Sequence, residues 1–290
     1  MPFCYQVPKR YTDLNLGGHV DHGVVIDYLQ EARTEFLLSS DGPMPDMLDS
    51  GVLVTGHQVE YLAPIGYDTP GVDAEVWVDQ VRAARFSISY RLSDAGTPVV
   101  RARTFLTPYD LAPNDLAPHA LTSAGLRRLT GPERDQLTAA VEPPVDLQPL
   151  GRVTAADLAG AQGSDCRVRW ADLDSYRHVN NVKFFDYFSQ ARLELLTGAL
   201  RQAQGSVESW VVARQDLDYK RPIDFRRPPY RVRTAVVRIG TTSVEFVADI
   251  IDPQSDQPTS YATARTLMVH LGRDGRPEPI AEEIRPALGA

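Results

Sequence analysis

Two stretches of this chain are copies of one another, and that constrains the fold more than any other feature. Residues 10–37 read RYTDLNLGGHVDHGVVIDYLQEARTEFL, and residues 169–196 read RWADLDSYRHVNNVKFFDYFSQARLELL. At a constant offset they share Arg10/Arg169, Asp13/Asp172, Leu14/Leu173, His19/His178, Val20/Val179, Tyr28/Tyr187, Ala32/Ala191, Arg33/Arg192 and Glu35/Glu194 without a gap. Such self-similarity marks an internal duplication, so the chain reads as two versions of one unit.

The rest of each half follows the same order. A strand over 3–12 leads through a polar turn into a helix from about 24 to 38. The apolar residues Val25, Tyr28, Leu29, Ala32 and Phe36 recur at three- and four-residue spacing on one face of that helix. Strands are expected at 52–64, 72–81, 85–92 and 99–107, the last two joined by a hairpin turn at Asp94-Ala95-Gly96. In the second half the spacing predicts a strand at 167–171, a helix at 182–197, and strands at 210–222, 230–239, 243–251 and 260–271.

The copying persists along these strands, with VEYLAPI at 59–65 against LDYKRPI at 217–223, and ARTF at 102–105 against ARTL at 264–267. The domains are therefore drawn as 1–108, a connector at 109–160 with short helices near 121–129 and 133–141, 161–272, and a tail at 273–290. The fold class is α+β. A long helix with one apolar face needs cover, which an antiparallel sheet curled around it supplies. Two such sheets are expected to join side by side as a pseudo-dimer.

Composition narrows the function. The 290 residues are 43% hydrophobic, which suffices for a core, and the net charge of −8 argues against a broad nucleic-acid surface. Two cysteines without a Cys-x-x-Cys fit a reduced, cytoplasmic setting. The N-terminus lacks the apolar core of a signal peptide, and no run approaches the ~20 apolar residues of a membrane span. Six dispersed histidines suggest no metal site, and no glycine-rich phosphate loop is present.

The stretch ADLDSYRHVNNVKFFDYF resembles the signature of hot-dog-fold thioesterases of the 4-hydroxybenzoyl-CoA and acyl-CoA type. It is also similar to the DLDxNxHVNN stretch of plant acyl-carrier-protein thioesterases, and the duplicated layout resembles a tandem double hot dog. The resemblance implies a central helix wrapped by a curved antiparallel sheet in each half, with active sites at the seam. It implies acyl-CoA as substrate, coenzyme A entering only as part of it, no separate cofactor, and a possible homo-oligomer of the pseudo-dimer.

Residue by residue, the resemblance places the catalytic carboxylate at Asp174, the oxyanion-binding backbone N–H at Asn181, and the plant-type histidine at His178. Thioester cleavage needs a nucleophile or a base for water, plus donors for the developing oxyanion. A carboxylate serves the first need and unpaired N–H groups at a helix start serve the second. Asp172, which recurs as Asp13, reads as a residue that holds the turn. Asn180 and Asn181 stand where helix caps belong. His178 reads equally well as a buried turn histidine, and Arg192 and Glu194 as members of ion pairs.

Asp174 differs, because its counterpart is Asn15 and an amide is neither base nor nucleophile. The second motif is thus expected to be active and the first degenerate. Tyr176 replaces the plant family's asparagine, and Asp21-His22 stands where Asn180-Asn181 does. His57 and Glu60 are candidates for a contribution from the first half, and Arg82, Arg85, Lys220 and Arg221 for the phosphates of coenzyme A. An acyl-carrier-protein thioesterase, a non-catalytic acyl-binding protein and a dehydratase remain the competing readings.

Overall fold

The computed structural model describes residues 1–15, 17–110, 125–202, 210–255 and 259–289. The chain divides into two compact units, Met1–Gln148 and Pro149–Ala290. The first comprises β1 (Phe3–Pro8), α1 (Val24–Leu38), α2 (Met44–Ser50), β2 (Val52–Tyr61), β3 (Gly71–Arg82), β4 (Arg85–Asp94), β5 (Thr97–Pro108) and α3 (Gly131–Ala139). Its strands lie in the order β1-β3-β4-β5-β2, each antiparallel to its neighbours. The second holds β6 (Gln162–Cys166), α4 (Lys183–Gln202), β7 (Trp210–Tyr219), β8 (Tyr230–Ile239), β9 (Ser243–Ile251) and β10 (Ser260–His270). Its order, β6-β8-β9-β10-β7, is the same arrangement again.

The likeness extends to irregularities. Register shifts fall between Val78 and Gln80 on β3 and between Val236 and Arg238 on β8, which are corresponding points of the two copies. A bulge adds one residue to a strand and bends it locally. The Asp94–Thr97 hairpin turns through Ala95 at φ 49° and Gly96 at φ 77°, the paired left-handed conformation that matches the twist of the flanking strands.

Each long helix lays its apolar face on its own sheet. Val25, Ile26, Tyr28, Leu29, Ala32 and Leu37 of α1 are buried, and Phe36 is half-buried with its ring 5.8 Å from that of Phe3 on β1. Phe184, Phe185, Phe188, Ala191 and Leu196 do the same for α4. Among the described residues no helix is long and apolar enough to cross a membrane.

Two expectations are corrected. The strand read at 167–171 is instead β6 at Gln162–Cys166 followed by a short 3-10 turn at Trp170–Asp172. The turn wins because Asp172 Oδ2 accepts the Arg169 N–H at 2.7 Å, closing the backbone locally. The helix predicted over 182–197 runs from Lys183 to Gln202. The tail read at 273–290 contributes to the core of the second unit, for Ile280, Ile284 and Leu288 are buried with Leu196, Trp210, Phe246 and Met268.

The stretch 109–160 is divided between the units. The helical pattern near 121–129 lies partly outside the described residues. The second pattern is α3, capped by Thr130 and Glu133, with Leu137 buried beneath it. Val141 then bridges Val78 in parallel, and the Glu142 N–H donates to the Val78 carbonyl at 3.0 Å. That segment therefore covers part of the β3 edge in the first unit.

Candidate functional site

The turn before each long helix is wired identically in the two units. In the second, the Asp174 N–H donates to the His178 carbonyl (2.8 Å), the Val179 N–H to Ile223 (2.9 Å) and the Asn180 N–H to Asp172 (2.9 Å). In the first, Asn15 donates to His19 (2.8 Å), Val20 to Ile65 (2.9 Å) and Asp21 to Asp13 (2.9 Å). Below each turn a buried carboxylate holds the helix. Asp172 Oδ2 accepts from the Tyr187 hydroxyl and Asp13 Oδ2 from the Tyr28 hydroxyl, both at 2.7 Å. The Tyr219 and Tyr61 hydroxyls close the frame on the carbonyls of Asn181 and His22, both at 2.8 Å. These contacts account for the recurrence of Asp172 and Tyr187, and they give Asp172 the turn-holding role read from its recurrence.

Asp174 sits inside that frame. Its Oδ1 accepts the Tyr176 N–H at 2.8 Å and the His178 N–H at 3.3 Å. Asn15 Oδ1 receives the Gly17 N–H at 2.8 Å in the corresponding place. The turn thus needs one oxygen at this position and is indifferent to whether a carboxylate or an amide supplies it. Oδ2 of Asp174 takes no hydrogen bond among the described residues. Burial holds the Asp174 carboxyl above the usual aspartate range, against the opposing pull of the Tyr176, His178 and Asp174 N–H groups and of the His178 side chain.

The structure adds a residue that sequence reasoning missed. His178, only 3% exposed, places Nε2 3.2 Å from Asp224 Oδ1. The two residues also form an isolated backbone bridge. Nδ1 of His178 is buried and has no partner among the described residues. The signal lay in the duplication, since Gly66 stands in the first copy where Asp224 stands in the second.

Asn180 and Asn181 precede α4 rather than opening it. Asn180 Oδ1 accepts from the Val182 N–H (3.1 Å) and from Asn181 Nδ2 (3.2 Å), and the Lys183 N–H donates to the Asn180 carbonyl (2.9 Å). Asp21 Oδ1 receives the Gly23 N–H at 2.8 Å in the same way, so the change from Asn to Asp leaves that local contact in place. Arg192 is buried, its Nη1 3.5 Å from Thr266 Oγ1 and its Nη2 3.2 Å from Ser189 Oγ, and Glu194 accepts from Gln190 at 2.8 Å.

The other candidates separate. His57 is buried on β2, with Nδ1 3.0 Å from Thr104 Oγ1. Glu60, three residues on, accepts the Gln148 N–H at 3.2 Å. Strand alternation turns His57 with Tyr61 toward the helix and Glu60 to the other face, so the two do not converge on one place. Arg82 and Arg85 face each other across the exposed β3–β4 hairpin of the first unit. The twelve-residue β3 carries that hairpin on the order of 40 Å from the loop that meets its own unit's turn. Lys220 and Arg221 are exposed and open the loop whose Ile223 and Asp224 contact the Asp174 turn, and both of their N–H groups donate to the Tyr261 carbonyl (2.8 and 3.1 Å).

A sequence model described as the Thioesterase-like superfamily matches residues 10–142 and 168–288. Among solved structures, the 12:0-ACP thioesterase from Umbellularia californica aligns with a TM-score of 0.69 at 17% identity, over 95% of this chain and 94% of that one. An acyl-ACP thioesterase from Bacteroides thetaiotaomicron aligns at 0.66 and 14%, over 92% and 97%. At such identity these likenesses speak for the fold, across both repeats.

Proposed function

We propose that this chain, which belongs to the thioesterase-like superfamily, hydrolyses acyl-CoA to the free acid and coenzyme A at the turn around Asp174. The observation that carries the reading is the contrast between Asp174 and Asn15. One hydrogen-bonded frame is kept twice, and only the second copy fills it with an ionisable group. The carboxylate supports either direct attack on the thioester carbonyl or removal of a proton from water. Burial raises its basicity for the second role. The Asn181 N–H is the proposed donor to the oxyanion. His178, oriented by Asp224 through Nε2, presents Nδ1 as the group that exchanges a proton within the site. Side-by-side pairing of the halves belongs to the same proposal.

A panel of acyl-CoA esters assayed by release of free thiol tests this. Thiol release that vanishes in Asp174→Asn supports it, and no release from any ester overturns it. Acyl-carrier-protein substrates form the second reading, supported by what the two structural neighbours are named for. The same assay with acylated carrier separates the two.

A further inference from the structure

The duplication supplies an internal control for charge. In the first copy, residues 8–23 and 62–70 carry two basic residues against three acidic ones, a balance of −1. In the second, the matching residues 167–182 and 220–228 carry seven basic against three acidic, a balance of +4 in a chain whose total is −8. Arg226 is consumed internally by Asp252, at 2.9 Å for Nη2. Arg167, Arg169, Arg177, Lys220, Arg221 and Arg227 are all exposed and make no ion pair among the described residues. The two segments adjoin through the Val179–Ile223 hydrogen bond and the His178–Asp224 contact, so these cations border the Asp174 turn.

An aromatic pair stands among them. Trp170 is 68% exposed and Phe225 43% exposed, with ring centroids 5.3 Å apart edge to face. The first copy keeps an aromatic pair, Tyr11 with Tyr67 at 5.9 Å, with Arg10 as its one exposed cation, since Lys9 is buried against Asp94. The pair therefore belongs to the inherited fold, whereas the net positive charge is particular to the copy that holds the carboxylate.

We propose that this cationic and aromatic rim of the second unit binds the adenosine-phosphate end of coenzyme A. The cations would meet the phosphates, and the open face of Trp170 would stack on the adenine. The inference rests on the acyl-CoA reading and names the subsite where that reading leaves the nucleotide unplaced. Clustered cations attract phosphate, and an indole offers a broad face to a base. A carrier protein would bring one phosphodiester and no adenine, leaving Trp170 without a role.

The test uses the full chain and two readouts. First, coenzyme A itself is titrated by calorimetry into wild type, Lys220→Glu/Arg221→Glu/Arg227→Glu, Trp170→Ala and the control Tyr11→Ala, at low and high salt. Affinity is expected to weaken on the order of tenfold in the charge variant and several-fold in Trp170→Ala, to hold in Tyr11→Ala, and to fall with salt in wild type. Second, the ratio of kcat/KM for acyl-CoA over the matching acyl-pantetheine is expected to fall with those same variants. Equal affinities across the series, or an unchanged ratio, overturn the rim. A charge variant that loses turnover of acyl-carrier protein while keeping coenzyme A affinity also overturns it. If no thioester is cleaved yet coenzyme A binds as described, the rim stands and the hydrolase reading falls.

Discussion

His178 Nε2 lies 3.2 Å from Asp224 Oδ1, and the first copy of the motif has glycine, Gly66, where the second has Asp224. The acidic partner is therefore found only in the unit that also carries Asp174. Asp224→Asn keeps the size of the side chain and removes its charge. It is expected to lower kcat/KM by about tenfold to a hundredfold and to alter the pH profile, with Tm nearly unchanged. Steady-state kinetics across pH check this, and a profile identical to wild type would refute the positioning role.

Asp174→Asn should abolish hydrolysis, lowering kcat by about a thousandfold, while Asn15→Ala should retain most of it. Circular dichroism of both variants verifies that the fold persists. Full activity in Asp174→Asn would remove the carboxylate from the chemistry.

The same substitution should raise stability at neutral pH. Burial sets the folded pKa of Asp174 above its unfolded value. The stability tied to this group is thus fully present below the unfolded pKa and is lost as pH rises through the folded one. Asp174→Asn removes that loss, so its Tm should exceed wild type at pH 7, with the gap closing below about pH 3.9. Thermal melts at the two pH values decide it.

Turnover should follow the ionised carboxylate. The acidic limb of kcat/KM is expected above the ordinary aspartate value of about 3.9, because burial raises the group. Asp174→Glu would shift the limb, and a limb at or below the ordinary value would contradict the assignment.

Tyr187→Phe deletes the hydroxyl that donates to Asp172 at 2.7 Å, and Tyr28→Phe deletes its twin to Asp13. Each is expected to cost about 1.5–3 kcal/mol, since a hydrogen bond to a charged acceptor is lost. Denaturant melts of the two variants measure it, and a negligible change in either would show that the frame does not depend on the phenol.

Much of the architecture was legible because it was written twice. The 24–38 helix emerged from its apolar spacing, and β8 and β9 from alternation between turn residues. What failed had local causes. Trp170–Asp172 looked like a strand because alternation cannot sense a side chain that closes on its own backbone three residues away. The tail hid its pattern among prolines and charges, although Ile280, Ile284 and Leu288 recur every four residues. Asp174 stood out against Asn15. Asp224 did not, because comparing the copies for identities passes over a position where they differ, and its partnership with His178 joins residues far apart in the chain.

The frame around Asp174 is assembled from main-chain groups, two tyrosines and Asp172, and takes from Asp174 a single acceptor oxygen. On the proposed reading, exchanging the remaining oxygen for an amino group would silence the turn without rebuilding it. Under that proposal reactivity and scaffold are separable by one functional group, and the reverse exchange, Asn15→Asp together with Gly66→Asp, is the shortest route by which the first repeat would be given a reactive centre of its own.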